Sequence, residues 1–351
     1  MNKKIGKALI VVGCIAGVLA IGSGAYALHM KYEPEVYESY NIKTMDSEGR
    51  GYADHSTVYF TSDISPEGLQ RAYEALDRVP QGKVAVKLST GEAGNPNHLS
   101  PDLIKELVQS VDGTIIECNT AYGGSKRAET EMHLQVAKEH GFTDIADVDI
   151  MDKDGYITIP VEGGTLLKEN WVGKDLADYD FVMVLSHFKG HPMGGFGGAL
   201  KNISIGIASR EGKVRIHSAG LLHQPPIDFG AMITNQNDFT GSMAEAAKSV
   251  SDYEDHGEKM LYISVMNHIS VDCDCVSEPA AVDMHDIGIL ASLDPVALDQ
   301  ACVDLIYSAP DGASMRQRIE DKNGLYILRH AEEIGFGNRA YELIDLDAQS
   351  E

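Results

Sequence analysis

Cysteine is scarce, with five in 351 residues, and one of these, Cys14, falls in the N-terminal apolar run. The other four are Cys118, Cys273, Cys275 and Cys302. They do not amount to a disulfide scaffold, which a domain of this size does not need, although four cysteines can pair in three ways in an oxidising compartment. Basic residues are few as well: 29 Lys and Arg stand against 53 Asp and Glu, a net charge of −24. A surface so acidic repels nucleic acid and anionic lipid, so no nucleic-acid partner is expected. There is no internal repeat and no low-complexity tract. Gly-x-Ser-x-Gly, His-Glu-x-x-His, the Walker loop and a strand-borne Gly-x-Gly-x-x-Gly are all missing. The turn at 152–155 lacks the downstream glutamate of an EF-hand.

At the N-terminus, Lys3, Lys4 and Lys7 precede an uncharged apolar run over 8–28, and Ala25-Tyr26-Ala27 has the form of a cleavage site. That order describes a secretory signal. The run is also long enough to span a bilayer, so an uncleaved membrane anchor is the other reading. Val11-Val12-Gly13-Cys14 has the look of a lipobox, but the apolar run continues past it. In each case residues 29–351 are expected outside the cytoplasm, secreted or tethered by residues 1–28. The polar, tyrosine-rich stretch 29–57 reads as a linker, leaving 58–351 as the folded domain.

From Val58 onward apolar strands alternate with helical patterns. Strands are expected over 58–61, 83–88, 114–117, 147–151, 156–161, 181–185, 260–265, 287–291 and 341–346. Helices are expected over 66–78, 101–111, 126–140, 199–207, 241–253, 295–307 and 325–334. Ser65, Ser100 and Asp294, each followed by proline, sit where helix caps belong, and Gly141 sits where a helix stops. The alternation predicts an α/β fold, a mostly parallel sheet flanked by helices in one large domain. The weakly patterned stretch 212–241 reads as an ordered loop over the site.

In open parallel sheets ligands bind beyond the carboxyl ends of the strands, and the chemically distinctive residues cluster there. Ser89-Thr90-Gly91-Glu92, Cys118-Asn119-Thr120, Ser186-His187-Phe188-Lys189-Gly190-His191 and Asp272-Cys273-Asp274-Cys275 each follow an expected strand. His187, His191, Cys273 and Cys275 offer imidazole and thiolate ligands for a thiophilic ion. The alternatives are loop histidines satisfied by hydrogen bonds, and cysteines that are redox-active or inert. Gly194, Gly195, Gly197 and Gly198 would let backbone approach a ligand and lead into a helix N-terminus open to an anion. Lys201 and Lys87 are the candidate anion-binding or general acid–base groups. Cys302 lies in an apolar helix and is expected in the core.

The segment LSHFKGHPMGGFGGALKNISIGIASREGK, with VAVKLSTGE, TIIECNTAYGG, VDIMDKDG, IHSAG, ISVDCDC and DIGILASLDPVALDQACVDLIY, resembles the domain-of-unknown-function 362 family. Within it the chain looks most like the branch labelled uncharacterised iron–sulfur centre proteins. The resemblance runs from about Val58 to the end, and implies little about activity. Many members carry a ferredoxin-like insert with C-x-x-C-x-x-C runs. This chain has none, so no [4Fe–4S] cluster is expected, and no twin-arginine signal accompanies the export sequence. The expected cofactor is a single metal ion, zinc or iron, acquired outside. The functional expectation is an exported protein with a metal-dependent or redox-linked site at the carboxyl edge of its sheet. The alternative is a non-catalytic exported binding protein for a small anionic ligand. Whether the chain is an enzyme, and on what substrate, the sequence leaves open.

Overall fold

The computed structural model describes residues 34–50, 54–228 and 234–349. The signal or anchor expected over residues 1–28 lies outside them. Among the described residues no helix is long and apolar enough to cross a membrane.

The chain runs α1 (Ile42–Ser47), β1 (Ser56–Thr61), α2 (Pro66–Glu74), β2 (Val84–Lys87), α3 (Pro101–Ser110), β3 (Thr114–Glu117), α4 (Thr130–Glu139) and β4 (Val148–Ile150). It continues through β5 (Tyr156–Pro160), β6 (Glu169–Gly173), β7 (Phe181–His187), β8 (Lys189–His191), β9 (Gly195–Gly197), α5 (Ala199–Ser204), α6 (Arg210–His217) and α7 (Gln236–Tyr253). It ends with β10 (Met260–Met266), β11 (Gly288–Ser292), α8 (Pro295–Ser308), α9 (Ala313–Asp321), α10 (Tyr326–Glu333) and β12 (Tyr341–Asp345).

Eight strands form one sheet in the order β12-β1-β11-β10-β7-β2-β3-β4. All neighbours are parallel except at β11, which runs antiparallel to both β1 and β10. Every residue of β7 and β10 is buried, which is why these strands read as unbroken apolar runs instead of alternating ones. Helices cover both faces. One core holds α5, α7 and α8 against the sheet, and the other holds α2 and α3. This is the α/β architecture expected from the alternation.

Local chemistry sets the element ends. Ser65 accepts from Gly68 N at 3.0 Å, and Asp294 accepts from Val296 N at 2.8 Å, each above a proline in the first turn. Ser100 occupies the cap position of α3 without a side-chain cap bond. Gly141 ends α4 at φ 85°, a left-handed conformation that favours glycine.

Two expectations are corrected. The described part of the 29–57 linker is packed onto the domain: Tyr37 stacks on Tyr307 at 3.7 Å between ring centroids, and Tyr40 N donates to Asp304 Oδ2 at 3.0 Å. Tyr341 N donates back to Tyr40 O at 3.0 Å. The tyrosines that make this stretch look irregular are its anchors. The 212–241 loop is likewise shorter than expected, because α6 extends to His217 and α7 begins at Gln236.

Candidate functional site

The parallel strands β2, β3, β7 and β10 point the same way, so the segments that follow them meet at one edge. A cavity of about 80 Å³ opens there, lined by residues from all four. On the same measure a water needs roughly 10–15 Å³. The space therefore suits a few waters or a small anion.

Five basic side chains line the cavity, Lys87, Arg127, Lys189, Lys201 and Lys213, against two carboxylates, Glu117 and Asp274; burial lowers the pKa of Lys87 and, further, of Lys189. This excess of positive charge stands in a chain with a net charge of −24. Four of the five cations are engaged. Lys87 Nζ donates to Leu88 O at 2.5 Å and Asn202 Oδ1 at 3.0 Å, and lies 3.6 Å from Glu117. Arg127 donates to Glu117 Oε1 at 3.1 Å, which also accepts from Thr90 N at 2.7 Å. Burial raises the Glu117 pKa, but Lys87, His133 and Arg127 outweigh it and hold this carboxyl well below the usual range. Lys189 contacts Asp274, and Lys213 Nζ donates to Ala208 O at 2.5 Å.

Lys201 differs. Its ammonium makes no hydrogen bond or ion pair with a described residue, and burial, reinforced by Arg127 and Lys87, pushes its pKa down to about 8. Of the two lysines singled out from sequence, Lys201 is available to a ligand, whereas Lys87 is held by the protein.

The glycine run does different work from that expected. Gly197 and Gly198 line the cavity; Gly194 and Gly195 do not. A Cβ on Gly198 would lie 2.2 Å from Asp299 Oδ1, and Asp299 is what occupies the start of α5. It accepts from Ala199 N at 2.7 Å and Leu200 N at 2.9 Å. The helix N-terminus expected to receive an external anion is filled by the chain's own carboxylate, whose pKa burial pushes up to about 7. Gly194 N donates to His191 Nδ1 at 2.8 Å, and Gly195, at φ 83°, packs against Gly324.

The four proposed metal ligands divide. Donor atoms of His191, Cys273 and Cys275 lie within 4.8 Å of one another, a group that could hold a metal ion. His187 belongs to a separate network. Its Nε2 meets Asn267 O at 2.6 Å, and its Nδ1 meets Lys189 Nζ at 2.8 Å. A carbonyl only accepts, so the proton is on Nε2 and bare Nδ1 accepts from Lys189. Burial, then Lys189, keeps the pKa of His187 well below the ordinary histidine value.

Cys273 and Cys275 are joined as a disulfide. Two further features of the ligand group matter for metal. A disulfide must be reduced before its sulfurs ligate as thiolates, and His191 Nδ1 is already committed as acceptor to a backbone N–H. Cys118 and Cys302 are free and buried, Cys302 in the core as expected; burial raises both thiol pKa values.

Sequence reasoning passed over Arg127, Lys189 and Lys213. Lys189 sits inside the quoted SHFKGH segment, and its alternation with the two histidines was the available signal. Lys213 lies in a helix whose pattern is too weak to stand out from the 212–241 stretch, although Ser209 caps that helix through Gly212 N at 3.1 Å.

The family described as domain of unknown function DUF362 matches residues 84–304. No curated protein matches the chain. Among solved structures it is similar to the lactate racemase apoprotein from Thermoanaerobacterium thermosaccharolyticum, at 17% identity and a TM-score of 0.36, covering 59% of this chain and 50% of that one. It is also similar to a structural-genomics protein from Thermotoga maritima, at 16% identity and a TM-score of 0.39, covering 68% of this chain and 57% of that one. The chain spans about half the length of these structures.

Proposed function

The chain belongs to the DUF362 family, and from that starting point we propose that its cleft binds a small anion beside a redox-linked disulfide. The observation that carries this reading is Lys201, an ammonium without a partner among the described residues, in a cavity where basic side chains outnumber carboxylates. A half-buried charge is costly unless something pairs with it, and a carboxylate, sulfate or phosphate oxyanion supplies that partner. Wild-type oxidised protein is expected to bind inorganic phosphate or sulfate in a calorimetric titration. Lys201→Met should weaken that binding by about tenfold to a hundredfold, the worth of one charged hydrogen bond. Absence of binding to wild type would overturn the reading.

A metal-dependent site is the second reading, favoured by the proximity of His191, Cys273 and Cys275. Zinc or iron(II) would find two thiolates and an imidazole once the disulfide is opened and His191 is released from Gly194. The residues fit such an ion in kind but not in their present state. Reduced protein should then take up one zinc ion per chain, lost in Cys273→Ser. Zinc uptake unaffected by that substitution would sink the metal reading.

The disulfide also supports an extracytoplasmic location, because such bonds persist in oxidising compartments, and the lysine–apolar–AYA order of the N-terminus points the same way. A C-terminal reporter that works only in the cytoplasm should be silent when fused to the full chain. An active reporter would overturn the location.

A further inference from the structure

The disulfide and Lys201, which has no partner among the described residues, face the same small space. Cys273, Cys275 and Lys201 all line the cavity, Cys273 at 4% exposure and Cys275 less buried. A disulfide is an electrophile towards thiolates, and the rate of exchange depends on access and on what stabilises the leaving thiolate. Here the opened cavity wall would release that thiolate among cations, the setting that favours the thiolate form. Asp274, the carboxylate between the two cysteines, is paired with Lys189, so it leaves the positive excess in place.

We propose that the Cys273–Cys275 disulfide is reduced by small thiols carrying an additional anionic group, which Lys201 holds while the sulfur attacks. The proposal rests on the anion-binding reading above and names the class of co-substrate. A cavity of about 80 Å³ suits short thiols: a carboxylate, sulfonate or phosphate separated from sulfur by a few carbons.

The chemistry balances with two thiols. The first thiolate attacks Cys275 Sγ, the sulfur of the less buried residue; the Cys273–Cys275 bond breaks, a mixed disulfide forms on Cys275 and the electron pair leaves on Cys273 Sγ. A second thiolate attacks the small-molecule sulfur of the mixed disulfide and releases the Cys275 thiolate. Two thiols are oxidised to one disulfide, the protein disulfide gains two electrons, and its two thiolates take protons from solvent.

The test compares 2-mercaptoethanesulfonate with 2-mercaptoethanol as reductants of the oxidised full chain. Thiols are counted by alkylation and mass, and each rate is normalised to the same thiol's rate on a free small-molecule disulfide. The expected result is a normalised preference for the sulfonate of about tenfold or more, the scale on which a charged cleft raises encounter rates. That preference should collapse towards unity at about 1 M salt, where charges are screened beyond a few ångströms, and in Lys201→Met. The salt series needs no variant, so it decides even if the substitution disturbs folding. A normalised ratio of one in wild type, or a preference indifferent to both salt and Lys201→Met, would overturn the proposal. Phosphate titration of the same oxidised sample separates the two claims. Binding without thiol preference sinks this inference alone, while neither binding nor preference sinks the anion reading with it.

Discussion

Lys201 trades stability for ligand binding. Its pKa in the folded chain is about 8, below the roughly 10.4 of a free lysine. Below pH 8 both states hold the proton, and the folded state bears the full cost of a half-buried charge. Between about 8 and 10 the unfolded chain binds the proton that the native state has lost, so stability rises with pH across that window. Lys201→Met is therefore expected to stabilise the ligand-free protein at pH 7 by about 1–3 kcal/mol, a gain that shrinks between about pH 8 and 10 in urea titrations. Anion affinity runs the opposite way: it should fall as pH rises through about 8, because the ammonium is what binds. A variant destabilised at pH 7, or an affinity flat across that range, would contradict this account of Lys201. Asp299 gives the complementary case. Asp299→Ala would leave the buried Ala199 and Leu200 N–H groups without acceptors, costing about 2–4 kcal/mol in denaturant melts. Asp299→Asn keeps one acceptor and should cost less.

At the scale of elements, the hairpin β8–β9 links the cations to the disulfide. Gly190 N donates to Ser270 O at 2.8 Å, and a Cβ on Gly190 would lie 2.3 Å from Val271 O. Both contacts are to backbone, which has little room to yield. Gly190→Ala is expected to destabilise the chain by about 2–3 kcal/mol and to speed alkylation of Cys273 after reduction, by loosening the segment that presents it. Unchanged stability and unchanged alkylation would show that the hairpin does not position the pair. The same hairpin shows where sequence reading stops. Long apolar strands such as β7 and β10 declare themselves because both their faces are covered, and α8 does so through Asp294-Pro295. Strands β8 and β9 span three residues each, half of them glycine, and carry no periodic signal. Helix α9 is mostly polar, with only Met315 and Ile319 buried, and β6 pairs with β5 outside the main sheet and otherwise only bridges Ala208 among the described residues. Such elements are specified by tertiary contacts instead of by local pattern.

Across the whole molecule, the parallel sheet carries the logic from sequence to site. Once the strands are known to run parallel, the convergence of Lys87, Cys118, His187 and Cys273 at one edge follows, and that much was legible. Which side chains remain free was not. His187 turns to Asn267 and Lys189, and His191 turns to Gly194, because buried imidazoles find the nearest hydrogen-bond partners, which no spacing rule encodes. The chain's own Asp299 takes the helix N-terminus from across the fold, one hundred residues from Ala199 in sequence. The acidic exterior and the cationic cleft are likewise separated only by folding, since the composition records their sum. The central claim is that a small anion sits on Lys201 in this cleft, and the most direct measurement is a crystal of the oxidised protein soaked in selenate. The account predicts an anomalous peak within hydrogen-bonded reach of Lys201 Nζ, its oxygens about 3 Å from that nitrogen. A peak elsewhere on the surface, or an empty cleft at saturating selenate, would contradict it.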